Sequence, residues 1–121
     1  MQTIINEARR LRMAWNNSLV GFGEIWRSQA AFRWWCFVNC LCLIAALVLP
    51  LTTVERALVI GFSLNVLLAE IGNTAIETTI DRIGPERHEL SRIAKDLGSA
   101  WVMAAAVVAG VVWLIVLIGL F

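Results

Sequence analysis

Four polar side chains recur at helical spacing within an otherwise apolar stretch in the middle of the chain. They are Glu70, Asn73, Glu77 and Asp81, separated by three, four and four residues. Because an α-helix turns by about 100° per residue, this spacing places all four on one face. Two carboxylates can hold Mg²⁺ against phosphate oxygens, and one carboxylate can accept the proton of a hydroxyl group. An ion or proton pathway would use the same residues, so the spacing leaves both chemistries open.

The stretch that carries these acids is predicted to cross a membrane as a helix over residues 55–82. If the helix enters the bilayer near Arg56, Glu70 lies about 21 Å and Glu77 about 32 Å along its axis. A carboxylate within the hydrocarbon costs about 2.5–3.5 kcal/mol on insertion scales, so such residues are interpreted as functional by default. The alternative is that they only hydrogen-bond helices together, a role also expected of Asn39 and Asn65.

Two charge-free stretches flank this helix and predict two further transmembrane helices, at residues 34–51 and 97–121. Each approaches or exceeds the ~20 residues needed to cross a bilayer. Apolar residues make up 60% of the 121 residues and charged residues 16%, which excludes an ordinary soluble domain. Residues 1–121 are therefore predicted to form a single all-α domain with three transmembrane helices. The cysteines of the first span, Cys36, Cys40 and Cys42, lack nearby acids or histidine and are interpreted as packing residues.

Outside the spans, the sequence predicts one surface helix and one polar connection. Residues 1–30 are expected to form an amphipathic helix in the membrane interface, because apolar side chains recur every three or four residues. These side chains are Ile4, Ala8, Leu11, Trp15, Leu19, Phe22 and Trp26. Residues 83–96 form the polar connection, a cytoplasmic loop or helix. Gly84 and Pro85 end the preceding helix, and Pro85 is predicted to open the next one at its first position.

The distribution of positive charge predicts the orientation in the membrane. Five arginines precede the first span, and a second basic group, Arg82, Arg87, Arg92 and Lys95, lies between the second and third. Only Arg56 lies at the opposite face, so the N-terminus is expected to be cytoplasmic. A net charge of +1 gives no indication of a nucleic-acid partner. The glycine-rich phosphate-binding motifs of soluble kinases are also missing from the sequence.

Two segments are distinctive enough to indicate a family. Residues 69–84 read AEIGNTAIETTIDRIG, and residues 88–91, HELS, are followed by AKDLGSA at residues 94–100. Together they resemble the prokaryotic diacylglycerol kinase family, over nearly the whole chain. The resemblance implies a homotrimeric bundle in the bacterial inner membrane, with active sites shared between neighbouring subunits at the cytoplasmic interface. It also implies transfer of the γ-phosphoryl group of MgATP to the primary hydroxyl of diacylglycerol, which yields phosphatidic acid.

The same resemblance implies a role for each site residue. The catalytic residues are Glu70, as general base, and Asn73, which orients the reacting groups. Mg²⁺ is assigned to Glu77 and Gln29, and the lipid to Arg10, Glu70 and Ser99. Nucleotide contacts are assigned to Arg10, Asn17, Glu77, Asp81, Glu86, His88, Lys95 and Asp96. For His88, a loop or helix-cap role competes with the nucleotide contact.

One departure from the family pattern concerns the metal. The family carries a glutamate where this chain has Gln29, and an amide oxygen brings no charge to Mg²⁺. We therefore expect weaker metal binding, unless Glu24 compensates, or else a catalytically inactive scaffold. The sequence also leaves open an undecaprenol kinase on the same scaffold and a small ion-coupled membrane protein.

Overall fold

The computed structural model is all-helical over the residues that it describes, which are 2–120, with side chains from residue 5 on. This confirms the predicted all-α class. The described part contains four helices: α1 (Gln2–Ser28), α2 (Ala30–Val48), α3 (Thr53–Ile83) and α4 (Glu89–Ile118). Met1 and Phe121, predicted to begin the surface helix and to end the third span, lie outside the described residues, as does the side chain of Ile4.

The chain divides into two compact units, with the boundary between Ala30 and Ala31. The first unit is α1, which is helical without interruption over 27 residues. The apolar side chains of its predicted stripe from Leu11 to Trp26 are all more than half exposed. Arg10 and Arg27 each pair with a glutamate three residues earlier on the same helix, Glu7 at 3.9 Å and Glu24 at 3.7 Å. The first unit therefore carries an exposed apolar stripe and charged side chains that pair along the same helix.

In the second unit, α3 and α4 form the closest helix pair. Their contact is made by small and β-branched side chains: Val66 and Ala69 of α3 pack with Ala105 and Ala109 of α4. Small side chains allow two helix backbones to approach closely, which is typical of helix pairs in membranes. A second cluster, Ala46, Leu51, Val59 and Val116, joins the end of α2 to the other two helices.

The four-residue turn between α2 and α3 is held by polar contacts. Thr52 caps α3 and forms a capping box with Glu55, whose carboxylate accepts from the Thr52 backbone N–H at 2.8 Å. Arg56 donates to the carbonyl oxygens of Ala46 and Leu51, at 2.8 and 3.2 Å. The first bond satisfies a carbonyl that the end of α2 leaves without a partner, and the second holds the turn. The single basic residue of this face thus has a structural role.

The start of α4 differs from the prediction. Pro85 does not open the helix, because it lies in a bend and α4 begins at Glu89. His88 is the N-cap, and its Nδ1 accepts a hydrogen bond from the Leu90 N–H at 3.2 Å. Gly84, with φ of +157°, ends α3 in a backbone conformation that favours glycine. The non-helical connection is residues 84–88, and the first two turns of α4 form the helical part of the predicted segment 83–96.

Two of the described helices, α2 and α4, are long and apolar enough to cross a membrane. Most side chains of α2 are exposed, including Phe37, Ile44 and Leu47, which distinguishes α2 from the core helix of a soluble protein. The apolar part of α4 begins at Leu97, after two polar turns. Helix α3 is long enough to cross as well, but its six charged residues interrupt its apolar stretch.

Hydrogen bonding between the apolar helices also differs from the prediction. Asn39 does not bond to another helix, because its amide Nδ2 donates to the Trp35 carbonyl four residues earlier at 2.9 Å. Asn65 is exposed. In the middle of the helix pair, α4 bonds to α3 through the Trp113 indole, which donates to the Ser63 hydroxyl at 2.9 Å. An indole and a hydroxyl satisfy each other in a setting where water is absent.

Candidate active site

The polar stripe of α3 runs from the helix interface to the protein surface. Glu70 and Asn73 are only 5% and 8% exposed, Glu77 is half-buried and Asp81 is exposed. Because they are spaced by three or four residues on an unbroken helix, they share one face as predicted. That face is turned toward α4 at its buried end. The acids therefore meet progressively more solvent toward the end of α3.

Asn73 and Glu77 are joined directly. The Asn73 amide Nδ2 donates to Oε1 of Glu77 at 3.2 Å. A donated hydrogen bond orients the carboxylate and leaves its other oxygen available to a ligand. Two of the predicted site residues therefore act as one unit.

The Asn73 side chain lies directly against the backbone of α4 at Gly98. A methyl carbon added at Gly98 would lie 3.3 Å from Cγ of Asn73 and closer still to Oδ1. Among the described residues, Asn73 Oδ1 and Thr74 Oγ1 are the buried side-chain atoms without a hydrogen-bond partner. A buried polar atom without a partner costs free energy and is an expected feature of a functional site.

Lys95 joins α4 to the exposed end of the stripe. Its ammonium donates to the Asp81 carboxylate at 2.5 Å. This hydrogen bond is the main reason that the pKa of Lys95 is raised, with the nearby charges of Asp81 and Glu77 acting in the same direction. The pair brings together two of the predicted nucleotide contacts, which are 14 residues apart in sequence.

Arg92 forms a second charged group on the first turns of α4. It donates to Glu89 at 2.6 Å and to Asp96 at 2.5 Å. The bond to Glu89, followed by the charge of Asp96, raises the pKa of Arg92. The carboxylate of Asp96, another predicted nucleotide contact, is therefore already held by a cation of its own helix.

A cleft of about 560 Å³ opens between the end of α3, the 84–88 connection and the start of α4. Small-molecule sites in proteins are typically about 300–1,000 Å³ in volume. Four predicted nucleotide contacts line the cleft, Asp81, Glu86, His88 and Lys95, together with Arg87 and Arg92. Ser99, the predicted lipid contact on α4, is exposed, next to the buried Gly98.

Three predicted site residues belong to the first unit or its boundary and are described there. Arg10 and Asn17 are exposed on α1, and Arg10 lies 3.9 Å from Glu7. Gln29, which separates α1 from α2 in the sequence, is half-buried, and its backbone N–H donates to the Ile25 carbonyl at 2.9 Å. Glu24, the alternative that could compensate for Gln29 at the metal, is paired with Arg27.

The metal site implied by the resemblance has Glu77 as its one carboxylate ligand. In the described part of the chain, no three acids, cysteines or histidines are grouped closely enough to hold a metal. Glu70 and Glu77 are two helical turns apart, about 10 Å along the axis. Mg²⁺ nevertheless fits Glu77, since proteins often hold it with one or two carboxylates while phosphate oxygens and water supply the other ligands.

Sequence reasoning missed three residues that shape this region. Gly98 makes room for Asn73, Gly72 makes room for the ring of Trp101, and Arg92 holds Asp96. A signal was present for the glycines, because glycine inside a helix costs about 1 kcal/mol relative to alanine and usually has a packing reason. The pairing of Arg92 follows from its spacing of three and four residues from Glu89 and Asp96.

The fold and the site together define a class: a small helical protein with membrane-length helices and a carboxylate site beside a polar cleft. Residues 16–117 match the family model described as prokaryotic diacylglycerol kinase. The chain belongs to the prokaryotic diacylglycerol kinase family. This confirms the resemblance found in the sequence, and with it the predicted enzyme class, a kinase.

Relatives with assigned names agree with the family. The chain is 41% identical to the diacylglycerol kinase of Pseudomonas aeruginosa over 111 residues, 92% of this chain and 90% of the relative. It is 44% identical to that of Haemophilus influenzae over 96 residues, 79% of this chain and 81% of the relative. The undecaprenol kinase of Bacillus subtilis is more distant, at 27% identity over 92% of this chain and 90% of the relative.

Proposed function

We propose that the chain transfers the γ-phosphoryl group of ATP to the primary hydroxyl of diacylglycerol, yielding phosphatidic acid and ADP. The observation that carries the proposal is the hydrogen-bonded Asn73–Glu77 pair, in which Asn73 is buried and Glu77 is half-buried. Asp81, one turn further along the same face, lines the charged cleft. Such a site suits a lipid substrate that arrives from the bilayer and a nucleotide that arrives from water. Family membership supplies the reaction class.

Glu70 is the proposed general base. It is 5% exposed, and no described residue donates a hydrogen bond to its carboxylate, which leaves the group available to a hydroxyl. Glu70 takes the proton of the lipid hydroxyl while the oxygen forms a bond to the γ-phosphorus and the bond to the β-phosphate oxygen breaks. General-base catalysis of this kind contributes roughly 10²–10⁴-fold to a rate.

Glu77 is the proposed protein ligand of Mg²⁺, held in orientation by Asn73, and Gln29 is proposed to add an uncharged oxygen. When bound, the metal neutralises charge on the phosphate oxygens, which is the main demand of phosphoryl transfer. Lys95 and the arginines of the cleft add positive charge near the nucleotide, and Arg10 does so from α1. Asn17, Asp81, Glu86, His88 and Asp96 are proposed to contact the nucleotide, and Ser99 the lipid.

Diacylglycerol is favoured over undecaprenol as the acceptor. The relatives named diacylglycerol kinase are 41% and 44% identical to this chain, whereas the one named undecaprenol kinase is 27% identical. Both lipids present a primary hydroxyl to the same base. The acceptor is therefore decided by the surroundings of the acyl or prenyl chain, and an assay that supplies each lipid in turn separates the two.

The proposed architecture has three transmembrane helices, α2, α3 and α4, with α1 in the interface and the N-terminus in the cytoplasm of a bacterial inner membrane. With α2 and α4 spanning, α3 must cross between them, since its neighbours in sequence are joined to it by connections of only four and five residues, 49–52 and 84–88. The exposed apolar side chains then face lipid or neighbouring copies. A homotrimer is part of the proposal, because helices from neighbouring copies would shield the polar stripe better than the three helices of one chain.

The decisive experiment is a phosphorylation assay on the purified protein in mixed micelles. MgATP is supplied with diacylglycerol or with undecaprenol, and Glu77→Gln is compared with the parent. We expect phosphatidic acid from the parent and a loss of about 100-fold in the variant, the effect of removing a charge that stabilises the transition state. The amide keeps the shape of the side chain and removes its charge.

Glu55→Gln is the matched control, because Glu55 lies on the same helix about 33 Å from Glu77. A glutamine still serves in a capping box, so this variant keeps the parent's activity. Phosphorylation of undecaprenol alone would reassign the acceptor. No lipid phosphate from either acceptor, even at high Mg²⁺, would refute the enzyme proposal and favour a scaffold.

A further inference from the structure

The helices that carry the site interlock at two glycines. On α3, a methyl carbon added at Gly72 would lie 2.5 Å from Cη2 of the Trp101 ring and closer still to Cζ3. On α4, a methyl carbon added at Gly98 would overlap the Asn73 amide. Each helix thus receives a side chain of the other where it has no side chain of its own.

These two contacts lie at the same level of the helix pair. Gly72 and Asn73 are consecutive on α3, while Gly98 and Trp101 are three residues apart on α4 and so share a face. One contact cannot loosen without affecting the other, because both are made by the same two helical turns. The positions of the Trp101 ring and the Asn73 amide therefore both depend on the same distance between α3 and α4.

The contact at Gly98 bears directly on the site. Asn73 is 8% exposed and donates to Glu77, while its oxygen lies against Gly98 without a hydrogen-bond partner. The amide is consequently held by packing on one side and by a single hydrogen bond on the other. A change in the separation of the helices would move the Asn73 side chain and, through it, the Glu77 carboxylate.

Trp101 does not have the surroundings of an ordinary core residue. It is 48% exposed, yet the edge of its six-membered ring fills the space above Gly72. A ring anchored only in the membrane interface would not need a glycine opposite it. The size of Trp101 and the absence of a side chain at Gly72 are matched.

We infer that Trp101 is a positioning residue: its ring, seated on Gly72, sets the separation of α3 and α4 that aligns Asn73 with Glu77. The inference rests on the proposed function only for its effect on catalysis. The coupling between residues 72 and 101 and the Asn73 amide can be tested without measuring activity.

The test is a pair of size changes and their combination. Gly72→Leu introduces a clash with the ring, Trp101→Ala leaves a gap, and Gly72→Leu combined with Trp101→Ala supplies the apolar contact from α3 instead of α4. Gly72→Ala is compared with Gly61→Ala, because an added methyl at Gly61 meets nothing within 4 Å on the same helix. All are made in the full-length chain.

Two measurements are made on each variant. The first is kcat and KM for MgATP and diacylglycerol. We expect each single change to lower kcat by on the order of tenfold to a hundredfold with little change in KM, as displacements of about 1 Å can do. The second is the side-chain amide ¹⁵N resonance of Asn73, identified by its loss in Asn73→Ala. This resonance is expected to shift in Gly72→Leu and in Trp101→Ala.

The combined variant decides the matter. Restored kcat together with a restored Asn73 resonance supports the inference, and Gly61→Ala leaves both unchanged. If the unfolding temperature recovers but kcat and the resonance do not, Gly72 and Trp101 contribute only to stability, and the inference is overturned. If the parent phosphorylates no lipid, the proposed function fails, but the positioning role can still be tested by the resonance. An Asn73 resonance that stays unchanged in the variants at residues 72 and 101 would overturn that role.

Discussion

At the scale of single residues, several charged side chains of the site already have partners of opposite charge. Lys95 is held by Asp81, and Asp96 by Arg92, each at 2.5 Å. When a nucleotide enters the cleft, its phosphate oxygens would replace some of these carboxylates as partners of Lys95 and Arg92. The cations are kept charged and oriented before the substrate arrives, which lowers the cost of ordering them on binding.

The Lys95–Asp81 pair leads to a prediction about pH. The hydrogen bond raises the pKa of Lys95, so its contribution to stability is fully present below the ordinary lysine value of about 10.4 and is lost as pH rises through the higher folded value. We expect the unfolding temperature of the parent to fall more steeply above that value than that of Lys95→Met. Thermal unfolding in micelles between about pH 8 and 12 measures the difference.

Below that range, the two proteins should respond to pH in parallel, and their offset should be small because the pair is exposed. A difference that grew toward acidic pH would contradict the assignment of the pH dependence to Lys95. Lys95→Arg is the control that keeps the charge, and its response should be displaced to higher pH.

At the scale of the elements, α3 is the helix on which the site depends. Its first turn is fixed by the Thr52 capping box, while its site acids lie toward its other end. One end of α3 therefore stabilises the fold, and the other end carries the residues of the candidate site. The interhelical bond between Trp113 and Ser63 and the small-residue contact at Ala69 and Ala105 hold the middle of this helix against α4.

Separation of the two ends predicts that stability and activity can be changed independently. Thr52→Ala removes the cap and should cost about 1 kcal/mol in the free energy of unfolding. Activity should stay unchanged, because Thr52 is about 38 Å from Glu77 along the axis. Unfolding by SDS titration and the micelle kinase assay provide the two measurements.

Thr53→Ala is the matched control for this change, since Thr53 is the first residue of α3 and its side chain is exposed. It should alter the free energy of unfolding by less than about 0.5 kcal/mol. Equal losses in the two variants would show that the capping box adds nothing in the membrane setting.

At the scale of the whole molecule, much of the apolar surface of α2, α3 and α4 stays exposed in a single chain. Lipid can cover that surface, but the half-buried Glu77 and the exposed Asp81 lie on the same unit. The proposed homotrimer would surround this polar face with helices from neighbouring copies. Arg10, on the first unit, is proposed to contact the nucleotide, and a trimer would allow the same chain or a neighbouring one to supply it.

Subunit mixing tests whether the sites are shared. Arg10→Ala and Glu77→Gln are each expected to lose most of their activity. If Arg10 and Glu77 in one site come from different subunits, unfolding and refolding the two variants together restores sites with both native residues. The measurement is the kinase activity of the mixture compared with that of each variant refolded alone.

No recovery in a mixture that forms trimers would show that Arg10 and Glu77 serve from the same subunit. A protein that remains monomeric in light scattering would refute the trimer itself. Co-refolding Glu77→Gln with Asn73→Ala is the control, because these residues are joined within one chain and no mixture can restore their pair.

The sequence by itself determined the helices and the polar stripe. Hydrophobic runs and helical spacing are local properties, since side chains three or four residues apart must share a face of a helix. This is why Glu70, Asn73, Glu77 and Asp81 were correctly placed together, and why the motif around them identified the family. The prediction that Pro85 starts a helix was wrong, because His88 caps α4 instead. The sequence offered both signals, a proline that can occupy the first position of a helix and a histidine that can cap one, and did not rank them.

The tertiary structure alone decided which residues of different helices meet. Lys95 pairs with Asp81, Ser63 with Trp113, Asn73 with Gly98 and Trp101 with Gly72, and every one of these contacts joins α3 to α4. Their sequence separations carry no fixed period, because the register between two helices follows from how their surfaces interlock. A glycine in a helix signals that something lies close by, but only the packed pair shows which side chain fills the space.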